Sequence, residues 1–581
     1  MRHQRTRTCG ELRIENATEK VVLNGWIQAI RDHGGLMFID LRDRYGFTQV
    51  VVDPARLPQV NELGPEWVIA IAGEVRARPA DARNAERSTG EIEVVADDIE
   101  ILNGTKVPPF EITDDCRTRE ELRLEHRYLD MRRRPVLANM ELRSRLNHTI
   151  RSSMMEQGFM EVETPILMKT SPEGARDFLV PSRVHPGQAY GLPQSPQLFK
   201  QTLMVAGIDR YFQICRCFRD EDLRADRQLE FTQLDVEMSF VRQEDVFLVM
   251  ERVMARVWKD IAGVSVAAPF PKLSWEESMA RFGSDKPETR CSLECFDFSA
   301  RAAQSTFRVF AQAVAKPQGT VRGLVIPGGA SLARKPIDDA EVVAKTYGAG
   351  GLAWVKLTPE GPQGTLARFL QPEDLTALAE AGAKTGDLVV FTAGRFEAAL
   401  TALGQVRLHF ARHLNLIDTS QTHFLWITDF PMFEWNEEEQ RFEAKHHMFT
   451  APTSELPEPG ADISHIKASL YDLVVNGNEI GSGSIRIHRP EVQAKVFAHV
   501  GLTAEQAADK FGWFLRVLEY GAPPHGGIAL GVDRIAMLLA NAASLRDVIA
   551  FPKISNGTCL MTQSPSAPDE KQWRELNLRP N

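Results

Sequence analysis

Two arginines occupy positions where a protein can hold phosphate. Arg219 ends the strand-like run RCFR (216 to 219) and is followed at once by acidic residues. Arg534 lies in GGIALGVDRIAML (526 to 538), where glycines permit close backbone approach before a predicted helix. A planar guanidinium binds phosphate oxygens through its fork, while a neighbouring carboxylate can hold a base edge. These segments indicate nucleotide binding, although the first, taken alone, fits a charged hairpin loop on the surface.

A pair of acids forms a candidate cation site. The Asn-Gly step in YDLVVNGNEIGSG (471 to 483) predicts a two-residue hairpin turn, which places Val474 opposite Glu479. Asp472 then shares a face with Val474 and lies diagonally across from Glu479. Magnesium prefers such sparse carboxylates together with phosphate oxygens, so we predict Mg²⁺ at Asp472 and Glu479. The alternative is two solvated acids on a hairpin.

The elements that position these residues fall into several domains. The 581 residues are 43% hydrophobic and 25% charged, enough for several cores and roughly three or four domains. Residues 104 to 115 (GTKVPPFEITDD) have the composition of a linker. Apolar residues every four positions from Leu142 to Met154, followed by Gly158, predict an amphipathic helix. Five strand-like runs before the linker predict a small barrel, with an OB-fold as the first choice: 21 to 31, 36 to 44, 48 to 53, 67 to 78 and 90 to 102.

Composition narrows the class of protein. No signal peptide and no run of about 18 apolar residues is visible, which predicts a soluble cytoplasmic protein with no membrane partner. Seven cysteines without a CxxC pair are read as reduced thiols. The net charge of -10 argues against a protein that coats nucleic acid indiscriminately, and no DNA partner is expected. Residues 117 to 151 carry ten arginines against five acids, a candidate RNA-facing strip or a solvated helix face.

Three segments together resemble the signature motifs of class II aminoacyl-tRNA synthetases. They are GFMEVETPIL (158 to 167), CFRDEDLRADRQLEFTQLD (217 to 235) and GGIALGVDRIAML. The resemblance implies a homodimer interface around Pro165 and catalytic roles for Arg219 and Arg534 on the phosphates of ATP. Asp533 stands where the family usually has glutamate, as in its aspartyl branch. The implied ATP-binding set is Arg219, Asp220, Glu221, Gln228, Phe231, Glu479, Gly531, Val532, Asp533 and Arg534.

Longer strings are similar to those of bacterial-type aspartyl-tRNA synthetases over nearly the whole chain. They are SPEGARDF (171 to 178), LPQSPQLFKQ (192 to 201), KHHMFT (445 to 450) and GNEIGSGSIRIH (477 to 488). A second substrate carboxylate needs cations around it once it is buried, and the resemblance assigns that role to Arg486 and Lys200. Met448 replaces the usual proline after the two histidines. The implied aspartate-binding set is Glu173, Ser195, Gln197, Lys200, Arg219, Asp235, His446 and Arg486.

The family implies ATP-dependent activation of L-aspartate, with Mg²⁺, followed by transfer to tRNA(Asp). Activation of asparagine or lysine is an alternative, but a neutral or cationic substrate side chain would be a poor partner for Arg486 and Lys200. A non-catalytic RNA-binding paralogue is a further alternative, but it would be expected to lose Arg219 or Arg534.

The fold class that follows is an α+β multidomain chain. It has an OB-fold barrel, an antiparallel-sheet catalytic domain and an inserted α+β domain. The predicted divisions are 1–103 for the anticodon-binding barrel, 104–135 for the linker, 136–288 and 419–553 for the two parts of the catalytic domain, 289–418 for the insertion, and 554–581 for a C-terminal extension.

In the barrel, Phe38, Gln49 and Glu93 fall at anticodon-binding positions of the family, with a core residue as the alternative for Phe38. His33, taken to open the strand that carries Phe38, matches enzymes that also charge tRNA(Asn). A neutral imidazole offers one donor and one acceptor, so it suits cytosine or uracil in the last anticodon position. Asp81 matches neither the relaxed nor the strict pattern, and a strictly tRNA(Asp)-specific enzyme is the alternative.

Overall fold

A computed structural model describes residues 1–170, 175–222 and 227–579. The described residues divide into two compact units, one of residues 1–143 and 542–567, the other of residues 144–222, 227–541 and 568–579.

The strands, in chain order, are β1 Lys20–His33, β2 Leu36–Asp43, β3 Gly46–Val52, β4 Val68–Ala77, β5 Ile92–Asn103, β6 Met160–Glu161, β7 Leu179–Pro181, β8 Ala189–Gly191, β9 Arg210–Phe218, β10 Glu230–Ser239, β11 Lys272–Ser274, β12 Cys295–Asp297, β13 Gly319–Ile326, β14 Ala353–Thr358, β15 Gly361–Gln363, β16 Leu388–Arg395, β17 Phe424–Thr428, β18 Phe433–Asn436, β19 Arg441–Ala444, β20 Leu470–Val475, β21 Asn478–Ile485 and β22 His525–Gly531.

The α-helices are α1 Glu120–Glu125, α2 Arg127–Asp130, α3 Arg134–Glu156, α4 Gln197–Val205, α5 Gln243–Val257, α6 Trp275–Phe282, α7 Ser299–Ala302, α8 Arg308–Val314, α9 Arg334–Thr346, α10 Pro372–Glu380, α11 Phe396–His413, α12 Pro490–His499, α13 Ala504–Leu518, α14 Val532–Leu539 and α15 Glu570–Glu575.

The first five strands close into a barrel in the order β1-β2-β3-β5-β4, as predicted. Alternate residues of these strands face inward and bury an apolar core, to which Ile39, Leu41 and Val50 belong. The prediction that His33 opens the strand carrying Phe38 is wrong. His33 is the last residue of β1, and Phe38 lies on β2, because the Gly-Gly pair at 34 and 35 makes the hairpin turn.

The arginine-rich run is not one solvated face. Arg127 and Arg133 are buried, and both donate to the fully buried carboxylate of Asp130, at 2.6 and 2.8 Å. Arg127 also donates to the backbone carbonyls of Ile549 and Ala550. Part of the run therefore forms an internal ion-pair network, since a buried carboxylate needs cations or donors around it.

The second unit is built on an eight-stranded sheet in the order β11-β17-β20-β21-β22-β10-β9-β6. Its central pairs are antiparallel, whereas β11 with β17 and β6 with β9 are parallel. The predicted amphipathic helix is α3, in which Leu146, Ile150 and Met154 are fully buried. Gly158 follows with φ +81°, a conformation that favours glycine at a helix end.

Residues 295–395 form a separate five-stranded sheet in the order β12-β13-β16-β14-β15, packed with helices that include α9 and α11. The predicted α+β character of the insertion is confirmed. Among the described residues, no helix is both long and apolar enough to cross a bilayer.

Candidate active site

The centre of the site lies on β10, between β9 and β22. Asp235 and Glu237 are two residues apart on this strand, so their side chains leave the same face of the sheet. Both carboxylates are fully buried. Gly527 on β22 makes room for Glu237, because a Cβ added there would come within 2.2 Å of its Oε2 atom.

Two buried cations face these carboxylates. Lys200, on α4, places Nζ 3.0 Å from Asp235 Oδ1 and 3.5 Å from Glu237 Oε2. Arg486, directly after β21, donates from Nε to Glu237 Oε1 at 2.9 Å and from NH2 to Glu237 Oε2 at 3.2 Å. Lys200 and Arg486, the two residues assigned to a substrate carboxylate from sequence, are therefore brought to one place, at 1% and 2% exposure.

The charges are strongly coupled. Burial by itself would raise the pKa of Glu237, but the positive charges of Arg486 and Lys200 lower it overall. Burial would lower the pKa of Arg486, but the charge of Glu237 raises it. Both groups are therefore ionised, and each depends on the other for its charge.

The remaining edge of the Arg486 guanidinium has neutral partners. Its NH1 donates to Ser484 Oγ at 2.7 Å and contacts His447 Nε2 at 2.9 Å. Burial and the adjacent guanidinium lower the pKa of His447, so this imidazole is uncharged at neutral pH. A carboxylate could take the place of either neutral acceptor and form an ion pair with NH1.

His446, the histidine chosen from sequence, is solvent-exposed and sets its ring against Phe430 at a centroid distance of 5.1 Å. Its neighbour His447, rather than His446, contacts Arg486 in this structure. The role of His446 stays a prediction.

The two arginines predicted to bind phosphate each lie just after a strand of the eight-stranded sheet. Arg219 follows β9, and its guanidinium carbon lies 5.0 Å from the centre of the Phe231 ring. Its backbone N–H donates to Leu229 O at 2.9 Å, which closes the ends of the β9–β10 hairpin. Arg534, on α14, donates from NH1 to the carbonyl of Glu479. A guanidinium is planar and presents several donors, a geometry suited to phosphate oxygens.

Asp533 joins the two arginine-bearing segments. Its buried carboxylate accepts the backbone N–H of Thr232 on β10, with Oδ2 at 2.7 Å. Gly531 ends β22 and Val532 begins α14, so this bond ties the first turn of the helix to the neighbouring strand. Asp533 thus has a positioning role beside Arg534.

The predicted hairpin turn is confirmed, with Val475 opposite Asn478 and Val474 opposite Glu479. A β-bulge follows, and Asp472 pairs with Ser482. Asp472 is buried, and its Oδ1 has no hydrogen-bond partner among the described residues. Burial and the nearby charge of Glu479 raise the pKa of Asp472. An unpartnered buried carboxylate oxygen beside a second acid fits a cation site.

The structure also describes most of the other residues predicted to bind substrate. Gln197 begins α4, is 8% exposed, and has an Nε2 atom without a partner among the described residues. Ser195 Oγ accepts the N–H of Gln197 at 3.3 Å, and Gln228 is buried. Asp220 and Glu221 are ion-paired at 3.7 and 3.1 Å with Arg176 and Arg227, respectively. Glu173 lies outside the described residues.

Pro165 lies in an exposed apolar segment after β6. Its neighbours Ile166 and Leu167 are 50% and 52% exposed, and Met160 is 54% exposed. Contiguous exposed apolar residues mark interaction surfaces in soluble proteins.

The barrel residues chosen from sequence share its outer face. Phe38 is half-buried and lies outside the apolar core, so the alternative of a core residue is wrong. His33 sets its ring edge-on to Phe38 at 6.5 Å. Gln49 donates to Glu93 at 3.0 Å, and Arg76 pairs with Glu93 on the same face. Asp81 is exposed on a short 3-10 helix, Ala80–Ala82.

Sequence reasoning missed Glu237 and His447, which together occupy three of the donor positions of Arg486. The alternation of Asp235 and Glu237 along one strand could have indicated that Glu237 shares a face with Asp235. Nothing in the local sequence indicated the partner of either residue.

Comparison with known proteins identifies the class. Residues 119–555 match the family model described as tRNA synthetases class II (D, K and N), and residues 21–102 match that of an OB-fold nucleic acid binding domain. The chain therefore belongs to the class II aminoacyl-tRNA synthetases.

Full-length relatives define the group more narrowly. Proteins named aspartate--tRNA(Asp/Asn) ligase from Moorella thermoacetica and Geotalea uraniireducens are each 50% identical to this chain. The alignments cover 99% of this chain and 96% and 98% of the two relatives. Asparaginyl-tRNA synthetase from Pyrococcus horikoshii, solved with asparaginyl-adenylate, shares the fold with a TM-score of 0.58 at 18% identity, over 94% of this chain and 98% of that one.

Proposed function

We propose that this chain activates L-aspartate with ATP, forming aspartyl-adenylate and pyrophosphate, and transfers the aspartyl group to tRNA. The observation that carries the choice of amino acid is the NH1 edge of Arg486. This edge is buried, cationic, and bonded to the neutral groups Ser484 and His447. A substrate carboxylate forms an ion pair there, whereas an asparagine amide offers only a neutral acceptor and a lysine ammonium is repelled. The names of the full-length relatives agree with this choice.

In the proposed reaction the α-carboxylate of aspartate attacks the α-phosphorus of ATP. Lys200 and Arg486 hold the side-chain carboxylate, and Asp235 holds the α-ammonium together with Ser195, Gln197 and Glu173, the roles that the family resemblance implies for these residues. Catalysis is then positioning and charge stabilisation, without a covalent enzyme intermediate.

Arg219 and Arg534 are the proposed phosphate ligands. Arg219 would meet the α-phosphate, with Phe231 stacking on adenine and Asp220, Glu221 and Gln228 around the nucleotide. Magnesium, bound by Asp472 and Glu479, would neutralise phosphate charge. Among the described residues, the unpartnered Oδ1 of Asp472 supports this assignment.

Pyrophosphate exchange into ATP tests the activation step directly. Exchange should depend on L-aspartate and be at least a hundredfold weaker with asparagine or lysine, or ~2.7 kcal/mol. Lys200→Met is a matched variant that keeps the length of the side chain and removes its charge, and it should abolish the preference for aspartate. Equal exchange with aspartate and asparagine would overturn the assignment.

For the tRNA, we propose that the outer face of the barrel binds the anticodon. The half-buried ring of Phe38 can stack on a base, and Gln49 and Glu93 can form hydrogen bonds to base edges. The relatives' names indicate both tRNA(Asp) and tRNA(Asn), and we propose both as substrates, with action in the cytoplasm. Deleting residues 1–103 should abolish efficient charging but leave pyrophosphate exchange, whereas equal loss of both in a folded protein would count against a separate anticodon module.

We further propose a homodimer formed around Pro165, and we retain the domain divisions predicted from sequence. The exposed apolar side chains of Ile166, Leu167 and Met160 support an interface, since they would otherwise remain in water. Ile166→Glu should convert the dimer to monomer in sedimentation, while Val184→Glu, at another exposed apolar side chain, should not.

A further inference from the structure

Two cysteines lie beside the proposed binding site for the α-ammonium group. Cys215 and Cys217 are two residues apart on β9, and their Sγ atoms are 3.8 Å apart. Cys215 Sγ is 3.2 Å from Asp235 Oδ2, and Cys217 Sγ is 3.2 Å from Gln233 Oε1. The two sulfurs and one Asp235 oxygen all lie within 4.8 Å of one another, and all three residues are buried.

These distances fit a thiophilic metal ion. A tetrahedral ion with metal–sulfur bonds of about 2.3 Å holds two sulfurs about 3.8 Å apart, and a sulfur and a carboxylate oxygen about 3.5 Å apart. The observed sulfur–sulfur distance of 3.8 Å meets the first value, and the sulfur–oxygen distance of 3.2 Å is within a few tenths of the second. Cys215 is already placed as a ligand, whereas the sulfur of Cys217, which lies within 4.8 Å of the Asp235 oxygen, must leave Gln233 Oε1 to become one.

The neighbouring charges are compatible with binding at this position. Lys200 contacts Oδ1 of Asp235, which leaves Oδ2 as the oxygen directed at the thiols. Glu237 stands within 3.5 Å of the same ammonium and, together with Asp235, offsets it. A divalent cation bound by two thiolates and one carboxylate would carry a net charge of -1 at the site.

We propose that Cys215, Cys217 and Asp235 form a binding site for one thiophilic divalent cation, such as Zn²⁺ or Cd²⁺. Binding converts both thiols to thiolates and releases two protons to solvent, while Asp235 contributes its carboxylate. Three protein ligands leave the fourth tetrahedral position for water.

The site has a consequence for the reaction. Because Asp235 would be a metal ligand, the bound cation and the substrate α-ammonium compete for the same carboxylate. The cation therefore inhibits amino-acid activation, a step of the inference that rests on the proposed function. This site is distinct from the Mg²⁺ position at Asp472 and Glu479, since thiolates select soft ions and oxygen ligands select hard ones.

Direct metal binding tests the site without relying on activity. The full chain is first reduced with a phosphine and then titrated with Zn²⁺ or Cd²⁺. Binding is measured by competition with a chromophoric chelator and, for Cd²⁺, by the ultraviolet absorption of its thiolate complex. Wild type should bind one cation. Cys215→Val and Cys217→Val should each lower the affinity at least about a hundredfold, because loss of even an outer-shell partner lowers metal affinity about 10- to 100-fold. Cys295→Val removes a buried thiol on the insertion sheet and should leave this binding unchanged.

The competition is measured separately. Saturating aspartate should displace the cation, and a zinc-selective chelator should restore exchange activity, which separates metal binding from thiol oxidation. Equal binding by wild type and both β9 cysteine variants would overturn the site. Cysteine-dependent binding that aspartate leaves unchanged would overturn the competition. Absence of aspartate-dependent exchange in wild type supplied with Mg²⁺ but free of Zn²⁺ and Cd²⁺ would count against the proposed function instead.

Discussion

Replacing Arg486 with alanine perturbs two partners at once, the proposed substrate carboxylate and the buried Glu237. In the folded protein Glu237 would keep Lys200, 3.5 Å away, as its remaining cation. Breaking a buried ion pair by removing one partner costs about 3–5 kcal/mol. We expect a loss of folding stability of that order in Arg486→Ala. The same range applied to transition-state binding corresponds to at least roughly a hundredfold loss in kcat/KM for aspartate.

A second substitution separates these two effects. Glu237→Gln in the Arg486→Ala background removes the buried charge that lost its partner while keeping the shape of the side chain. The double variant should regain most of the stability, because residues in one charge network are non-additive. It should not regain aspartate activation, because the substrate carboxylate still lacks its guanidinium.

The pH dependence provides a further check on stability. In wild type the pKa of Glu237 is lower in the folded state than in the unfolded state. Its stabilising contribution is therefore fully present at pH values above the unfolded-state pKa and is lost as pH falls through the folded-state pKa. Without Arg486, Glu237 loses the largest of the charges that lower its pKa, so its folded-state pKa is higher than in wild type. The stability deficit of Arg486→Ala relative to wild type should therefore narrow as pH falls through that higher folded-state pKa.

Denaturant midpoints and pyrophosphate exchange are the assays for wild type, Arg486→Ala and the double variant. If Arg486→Ala activates aspartate within about threefold of wild type, under ~1 kcal/mol, Arg486 is not a substrate ligand. If the double variant regains both stability and aspartate activation, Arg486 acts through Glu237 and the proposed contact with substrate is wrong.

Three further predictions follow from single side chains. The lowered pKa of His447 makes its contribution to stability fall as pH drops below about 6.5. Between pH 6.5 and 5, the free energy of unfolding of wild type should therefore fall by up to about 1.4 kcal/mol per pH unit more than that of His447→Gln, as measured by denaturation. Asp472→Asn should raise stability in Mg²⁺-free buffer, because it removes a buried charge beside Glu479. The same substitution should increase the Mg²⁺ concentration needed for exchange at least tenfold, and an unchanged Mg²⁺ requirement would contradict the site. His33→Leu should increase the preference for the tRNA(Asp) transcript over the tRNA(Asn) transcript, and a wild-type preference already above about a hundredfold, ~2.7 kcal/mol, would refute charging of both.

Elements with strong local signals could be predicted from the sequence. Five strand-like runs predicted the barrel, and the Asn-Gly step predicted the opposition of Val474 and Glu479, because strand alternation and turn chemistry depend on near neighbours. The two arginines proposed to bind phosphate were also identifiable from the sequence, since their glycine-rich and acidic surroundings are contiguous in the chain. Resemblance to the family then connected Arg486 and Lys200 with one substrate.

The tertiary structure alone decided which of these charges meet. Glu237 and Arg486 are 249 residues apart, and their bond exists because β21, β22 and β10 are adjacent in the sheet. The strand of His33 was misassigned because the two glycines after it, and not the histidine, set the turn. Cys215 and Cys217 gave no metal signal in sequence, since their third partner, Asp235, comes from the neighbouring strand. Long-range pairing depends on packing and burial across the whole sheet, and local spacing carries no information about it.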